Sequence, residues 1–267
     1  MTSTLVQHRP RKAAASSAQG STRARDWAEI QERMLVPLYE AVYERLEVGT
    51  GTRLLSLGCG SGLALLMARA RGATVTGVDT DRDRLALARE RMDGSPTARL
   101  LDGDATAAAG PGRSAYNLIT AFQPIGAGTG DAGRLEKALR NAVALAERGS
   151  LVVLTAWGPP ERCATAGVLG AAGEHRRATH RDALEDVAGR AGLNPDGSGR
   201  VACPFGYADV DSAVRGLLST GLYDRAVREG DPAQVEKEIE EALHDHRRPD
   251  GTVWMPNVFR YLIARTP

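Results

Sequence analysis

Short apolar runs alternate with helical segments through the middle of the chain. The runs are four to seven residues long, and three of the segments between them space their apolar residues as an amphipathic helix does. Such alternation favours a parallel sheet with helices on both faces. The predicted strands of this core are 53–57, 74–78, 98–101, 116–121 and 150–156, and the predicted helices are 63–71, 82–92 and 135–147.

The hydrophobic pattern changes on both sides of this core. Before it, residues 26–46 have helical spacing that Pro37 interrupts, so a kinked helix or two abutting helices are expected. After it come a helix, a strand, three helical stretches and a last strand broken near Pro256, at 181–191, 199–202, 210–218, 222–228, 232–246 and 253–264. We therefore predict a doubly wound α/β fold: a seven-stranded, mostly parallel sheet with N-terminal helices and a helical insert before the last strand.

One domain is expected to follow a short tail. The first 25 residues carry five Lys or Arg and no acidic residue, which predicts a disordered basic tail; a basic arm for an anionic partner is the alternative. Residues 26–267 are predicted to form the domain. Its parts are an N-terminal helical lid over 26–47, a ligand-binding core over 52–203, a helical insert over 204–250 and a final strand over 251–267.

Composition narrows the function classes. Hydrophobic residues make up 42% and charged residues 25% of the chain, and the net charge is +1, so neither a nucleic-acid nor a membrane partner is expected. No window approaches the roughly 20 apolar residues of a membrane span, and no secretory signal is evident, which predicts a cytoplasmic protein. Cys59, Cys163 and Cys203 are far apart, which predicts reduced thiols and no metal site.

A glycine-rich turn follows the first predicted strand. It reads Gly58-Cys59-Gly60-Ser61-Gly62, and a helix is predicted to begin directly after it. The next strand is followed by Asp79, where a carboxylate can accept hydrogen bonds from both hydroxyls of a ribose. A nucleoside ligand is therefore expected. The alternative is a tight strand–helix turn followed by an Asp that only caps a helix.

The spacing of this turn resembles the first motif of class I S-adenosylmethionine (SAM)-dependent methyltransferases. The third glycine is Gly62, whereas a dinucleotide-binding turn would have it at position 63. Gly103-Asp104-Ala105 and Tyr116-Asn117-Leu118-Ile119 resemble two later motifs of that family. Segments 153–162, 204–207 and 257–263 look like the acceptor half of its small-molecule branch, the ubiquinone/menaquinone-type and related actinobacterial enzymes.

The resemblance implies a Rossmann-like fold and SAM as the cofactor, with S-adenosylhomocysteine (SAH) as the product. In that family the acid matching Asp79 holds the ribose, and the acid matching Asp104 bonds the adenine amino group. Ser56 and Asn117 stand where the family usually has acids, which predicts a reduced cofactor affinity. The residues implied to bind the cofactor are Ser56, Gly58, Cys59, Gly60, Gly62, Asp79, Thr80, Asp104, Ala105 and Gln123.

The resemblance also implies methyl transfer to a small organic acceptor, as in secondary metabolism, by in-line displacement in a pocket that excludes water. No catalytic residue is obligatory, and the candidate bases are His175, Tyr39 and Tyr207. No aromatic residue stands between Tyr43 and Tyr116, so rings are expected to wall the acceptor half or to fill the core of the helical insert. The candidate acceptor contacts are Trp27, Tyr39, Phe122, Trp157 and Tyr207.

Two other functions fit the sequence. A nicotinamide-dependent oxidoreductase shares the fold and the ribose acid, although Leu63 argues against it. A cofactor-binding protein that has lost methyl transfer would explain Ser56 and Asn117. The expected partner is a small molecule, and the sequence leaves both a monomer and a homodimer open.

Overall fold

The computed structural model describes residues 11–110, 115–128, 130–171 and 180–267. In this part of the chain the strands are β1 (Arg53–Leu57), β2 (Thr74–Asp79), β3 (Ala98–Asp102), β4 (Tyr116–Ile125), β5 (Ala146–Trp157), β6 (Asn194–Ala202), β7 (Phe205–Tyr207), β8 (Val253–Met255) and β9 (Val258–Arg265).

The helices of these residues surround the strands. They are α1 (Arg11–Asp26), α2 (Val36–Arg45), α3 (Leu63–Ala70), α4 (Arg82–Arg91), α5 (Asp131–Val143), α6 (Thr165–Ala171), α7 (Ala183–Arg190), α8 (Val210–Ser219), α9 (Asp224–Glu229) and α10 (Pro232–Ala242). Trp27–Gln31 is a π-helical turn, and Glu32–Leu35, Ala105–Ala108, Pro160–Arg162 and His244–His246 are 3₁₀-helical turns.

Seven strands form one sheet in the order β3-β2-β1-β4-β5-β9-β6. The first five strands along the chain pair in parallel, and β9 runs antiparallel to both of its neighbours. The predicted seven-stranded, mostly parallel sheet is therefore confirmed. Because the strand order reverses between β1 and β4, the carboxyl ends of these two strands open into a crevice of the kind that binds ligands in such sheets.

Two apolar layers cover the two faces of this sheet. Successive side chains of a strand point to opposite faces, so Val153 of β5 packs into one layer while Val152 and Leu154 pack into the other. The first layer includes side chains of α2, α3 and the insert helices, and the second includes side chains of α5 and α7. The strands of the core are apolar on both faces, as expected for a parallel sheet covered by helices.

The predicted disordered tail is wrong for residues 11–25, because α1 continues without a break into the π-helical turn that follows it. α1 packs against α4 and α8, and Arg23 donates to the Asp224 carboxylate at 3.0 Å. These partners lie far away along the chain, so the local composition does not contain the information that orders the helix. The first ten residues of the predicted tail lie outside the described residues.

The predicted break near Pro256 in the last strand, 253–264, is present, but the two parts belong to different sheets. The first part is β8, which pairs with β7 in a separate two-stranded sheet, and the second part is β9 of the main sheet. Asn257 lies between them and is buried, with its side-chain oxygen accepting the Thr165 backbone N–H at 3.2 Å. The chain therefore changes sheets at Pro256 and Asn257, and the small sheet lies beside the insert.

The absence of a side chain at Gly77 of β2 makes room for the glycine-rich turn. A Cβ at Gly77 would lie 2.5 Å from Leu65 Cδ1 and 2.8 Å from Cys59 Sγ. We therefore expect Gly77→Ala to lower the free energy of unfolding by about 1–3 kcal/mol, because overpacking displaces these groups. The measurement is urea denaturation followed by circular dichroism.

Gly133→Ala is the matched control for this substitution. Gly133 lies in α5, is exposed, and has nothing within 4 Å of an added Cβ. Alanine favours a helix over glycine by up to about 1 kcal/mol, so this variant should be more stable than the wild type. Equal midpoints for the two variants would contradict the packing role of Gly77.

Candidate functional site

The glycine-rich turn between β1 and α3 has a backbone that other residues rarely adopt. Gly58, Gly60 and Gly62 have φ values of +64°, +57° and +82°. A Cβ on Gly58 would lie 3.0 Å from the Gln123 side chain, and a Cβ on Gly62 would lie 3.0 Å from the Ala88 Cβ. Glycine is thus required both for the conformation and for the close approach of β4 and α4 to the turn.

Asp79 connects this turn to the end of β2. One carboxylate oxygen accepts the Gly60 N–H at 2.7 Å and the other accepts the Asp81 N–H at 2.8 Å. Asp81 caps α4, since its side chain accepts the N–H groups of Asp83 and Arg84. Asp79 is therefore not a helix-capping residue, and each of its oxygens has further lone-pair capacity for a ligand hydroxyl.

A cavity of about 540 Å³ opens at the carboxyl ends of the strands, within the usual range for small-molecule sites. Most of the predicted cofactor-binding residues line it: Gly58, Asp79, Thr80, Asp104, Ala105 and Gln123. At its rim, Asp104 accepts hydrogen bonds from the side chain and the backbone N–H of Thr106, which lower the pKa of Asp104. One end of the cavity wall thus presents two carboxylates and exposed backbone.

The other predicted cofactor-binding residues, Ser56, Cys59, Gly60 and Gly62, do not line this cavity. Ser56 is buried within β1, opposite Gly77 on one side and Thr120 on the other. Cys59 points back toward β2, and burial raises the pKa of its thiol. These residues belong to β1 and the turn but do not face the cavity.

Asn117 is remote from the cavity as well. Its side-chain oxygen accepts the Arg53 backbone N–H at 2.8 Å, and its amide nitrogen donates to the Gly51 carbonyl at 3.0 Å. The side chain therefore joins the start of β4 to the start of β1. The presence of Asn where an acid was expected therefore affects this connection between β1 and β4 and leaves the wall of the cavity unchanged.

Three aromatic rings line the opposite end of the cavity: Trp157, Phe205 and Phe259. The ring centres of Trp157 and Phe259 are 4.6 Å apart, and those of Trp157 and Phe205 are 5.8 Å apart. Phe205 and Phe259 are not among the predicted acceptor contacts. Both lie in segments that carry the family resemblance, but their side chains meet only because β7 and β9 come together beside the end of β5.

The remaining predicted acceptor contacts Tyr39, Phe122 and Tyr207 do not line the cavity. Tyr39 packs on Phe122 with ring centres 4.8 Å apart, and Tyr207 donates its hydroxyl hydrogen to the Gln31 side chain at 2.9 Å. Burial raises the pKa values of both tyrosines, which makes them poor bases. These rings are interior packing residues, and the third candidate base, His175, lies outside the described residues.

The N-terminal segment covers the cavity through its π-helical turn. Trp27 and Gln31 of this turn line the cavity, while the lid over 26–47 stays a prediction. The next residue, Glu32, is 2% exposed and accepts hydrogen bonds from the Ser61 hydroxyl and, at 2.8 Å, from Arg91. The sequence contains no local signal for this contact, since Glu32 looks like an ordinary polar position of an amphipathic helix.

The described residues contain no group of three His, Cys, Asp or Glu side chains that could hold a metal ion. Nor does any helix among them combine the length and the apolarity that crossing a membrane would require. Both statements concern only the part of the chain described above.

Residues 54–149 match a protein-family model described as a methyltransferase domain. This segment is similar to methyltransferase domains. It contains the glycine-rich turn, Asp79, Asp104 and Gln123, so the cofactor half of the cavity lies almost wholly within the match. The match supports the predicted SAM-dependent methyltransferase and not the nicotinamide-dependent alternative.

Solved structures share the fold over most of the chain. YcgJ from Bacillus subtilis is 15% identical, with 85% of this chain and 97% of that chain covered and a TM-score of 0.57. A SAM-dependent methyltransferase from Geobacter sulfurreducens, solved with SAH, is 19% identical, with 87% and 91% covered and a TM-score of 0.51. The [4+2]-cyclase SpnF is 21% identical, with 86% and 80% covered and a TM-score of 0.55.

No curated protein sequence matches the chain significantly. At the identities of the solved structures, their likeness establishes the fold and not the acceptor. The chain shares the fold of these solved structures. SAM as the cofactor and the small-molecule branch of the class I methyltransferases stay predictions.

We expect Asp79→Asn to weaken SAH binding by about 10- to 100-fold, because charge-assisted hydrogen bonds to the ribose are lost and the amide cannot accept on both sides. Isothermal titration calorimetry measures this loss. Asp102→Asn is the matched control, since Asp102 pairs with Asp79 in the register of β2 and β3 but does not line the cavity. An Asp79→Asn variant that binds SAH as tightly as the wild type would contradict the assignment.

Proposed function

We propose that the protein transfers the methyl group of SAM to a small, flat, largely apolar organic acceptor. One observation carries this proposal: a single cavity has Asp79 and Asp104 at one end and the rings of Trp157, Phe205 and Phe259 at the other. The first end suits an adenosine, and the second suits an apolar ring system. Both ligands would therefore occupy one continuous space.

The residues of the cofactor end fit SAM. Asp79 would hold the ribose hydroxyls, and Asp104 would hold the adenine amino group. When bound, SAM supplies an electrophilic methyl group on a positively charged sulfur. Gln123 lines the cavity at the end of β4 and can hydrogen-bond a group that crosses from one end to the other.

The residues of the acceptor end supply alignment and exclude water. Among the described residues, the cavity wall contains no histidine and no tyrosine. A proton-transferring side chain is not required for an electrophile of this strength. Holding the reacting atoms in line can by itself lower the activation barrier by several kcal/mol, up to about 7–11 kcal/mol. We therefore propose that the acceptor reacts through a group that loses its proton readily or carries none.

The fold is compatible with other chemistry, since one of the solved structures is described as a [4+2]-cyclase. The test must therefore measure methyl transfer directly. The protein is incubated with SAM labelled in the methyl group and a panel of phenols, hydroxyquinones and aromatic amines, and products are detected by mass spectrometry. A labelled product supports the proposal, whereas tight SAH binding without product from any panel member supports the non-transferring alternative.

With an acceptor from this panel, we expect Trp157→Ala to raise KM for the acceptor at least about 10-fold, because a large ring contact is lost. The affinity for SAH should stay within about twofold of the wild type, since the cofactor end is untouched. Trp254→Ala is the matched control: Trp254 is 39% exposed on β8 and lies outside the cavity. Equal effects of both substitutions would count against an acceptor site at Trp157.

Tyr207→Phe tests whether a buried tyrosine acts as the base. Because burial raises the pKa of Tyr207, its hydroxyl stays protonated across the physiological range and makes one hydrogen bond, to Gln31. We expect the pH dependence of kcat to be unchanged in this variant, with stability lowered by about 0.5–1.5 kcal/mol for the lost hydrogen bond. A pH profile that loses its basic limb would instead identify Tyr207 as a proton-transfer residue.

A further inference from the structure

One N–H donor in the cavity wall has no hydrogen-bond acceptor among the described residues. It is the indole Nε1–H of Trp27, and this atom is buried. Trp27 lines the cavity. Because buried polar groups in folded proteins are almost always paired, this unpartnered donor marks a place where a bound ligand supplies the acceptor.

The indole of Trp27 lies between the glycine-rich turn and Arg84. Nε1 is 3.1 Å from the position that a Cβ on Gly60 would occupy, and the guanidinium carbon of Arg84 is 4.1 Å from the centre of the indole ring. Arg84 is itself fixed, since it donates to the Ser219 carbonyl at 2.6 Å and lies 3.3 Å from the Asp81 carboxylate. The ring is therefore held with its N–H at the turn.

The π-helical turn explains why Trp27 reaches this position. The wider turn of a π-helix brings residues five positions apart onto one side, and such turns are frequent at functional sites. Trp27 and Glu32 are five positions apart and both approach the glycine-rich turn, with Trp27 Nε1 and Glu32 Oε1 at 3.1 Å and 3.2 Å from the position that a Cβ on Gly60 would occupy. Because Glu32 is bound to Ser61 and Arg91, the short segment that carries Trp27 is fixed at this turn.

The indole N–H can only donate, so its partner must be a hydrogen-bond acceptor. Given the proposed function, which this step rests on, Asp79 engages the ribose of the cofactor. The part of the cofactor beyond the ribose carries a carboxylate and an ammonium, and only the carboxylate can accept from Trp27. The charged groups around Arg84 are Asp79, Asp81, Glu32 and Arg23.

We propose that Trp27 binds the carboxylate of the cofactor's amino-acid moiety through its indole N–H, and that Arg84 is the positioning residue that holds the ring. This assigns Trp27 to the cofactor and not to the acceptor, on whose side the sequence places it. It also provides a polar contact at the methionine end of the cofactor, where Ser56 does not reach the cavity.

The test compares two ligands by isothermal titration calorimetry on the full chain. SAH carries the carboxylate, whereas 5′-methylthioadenosine keeps the adenosine and the sulfur but lacks the amino-acid moiety. Trp27→Phe keeps an aromatic ring against Arg84 and removes the N–H. We expect this variant to bind SAH about 10-fold more weakly, because one charge-assisted hydrogen bond is lost. It should bind 5′-methylthioadenosine within about twofold of the wild type, because this ligand has no carboxylate.

Arg84→Gln gives a second measurement, the ratio of the two affinities, which would not change if Arg84 had only a structural role. It removes the cation from the ring face, so the ratio of the two affinities should shift in the same direction as in Trp27→Phe. Trp254→Phe is the matched control, because Trp254 also has an arginine, Arg248, over its ring at 4.5 Å but lies outside the cavity. This control should change neither affinity.

Three results would overturn the proposal. Equal weakening of both ligands in Trp27→Phe would show that the indole only supports the fold, and unchanged SAH binding would show that its N–H does not meet the cofactor. A wild-type protein that binds neither ligand would overturn the proposed function itself, and with it this assignment. A wild type that binds both ligands, with a selective loss of SAH in Trp27→Phe, supports the assignment.

Discussion

The buried carboxylate of Glu32 joins three segments that the rest of the site depends on. It accepts from the Ser61 hydroxyl in the glycine-rich turn and pairs with Arg91 of α4 at 2.8 Å, while Arg91 also donates to the carbonyl of Ala28 in the N-terminal segment. Removing one partner of a buried ion pair costs about 3–5 kcal/mol, so the three segments are strongly coupled. The position of the lid over the cavity is therefore set by the same contacts that hold the turn.

The lid is also connected to the insert. Arg215 of α8 lies 3.1 Å from the Asp26 carboxylate, and the Tyr207 hydroxyl donates to Gln31. Gly216 of α8 has no side chain where one would meet Ile30 and Tyr207 at 2.9 Å. Two segments about 180 residues apart in the sequence thus contact each other, and together they cover the cavity.

Much of the core could be predicted from the sequence because its determinants are local. The alternation of apolar runs and helical segments is enough for β1 to β5, and the Gly58 to Gly62 turn and Asp79 are close neighbours in the register of β1 and β2. What could not be predicted depends on distant partners. α1 is ordered by α4 and α8, and β8 leaves the main sheet to pair with β7. Trp27 reaches the glycine-rich turn because Glu32 of the same segment is anchored to Ser61. Composition predicts a tail at α1, and the hydrophobic pattern predicts the break near Pro256 but not the separate sheet, because neither measure contains the pairing partner.

The two ends of the cavity differ in polarity for a reason that follows from the fold. The cofactor end is formed by the ends of β1 and β2 and the turn that follows β3, where chain direction and glycine expose backbone N–H groups and two acids. The acceptor end is formed by β5, β7 and β9, where Trp157, Phe205 and Phe259 displace water. In such an apolar space the attraction between a positively charged sulfonium and an electron-rich acceptor is stronger than in water, and the alignment of the two costs little reorganisation at the moment of reaction. In the proposed function, an ionic end that fixes one reactant and an uncharged end that surrounds the other would be complementary parts of a single site for group transfer.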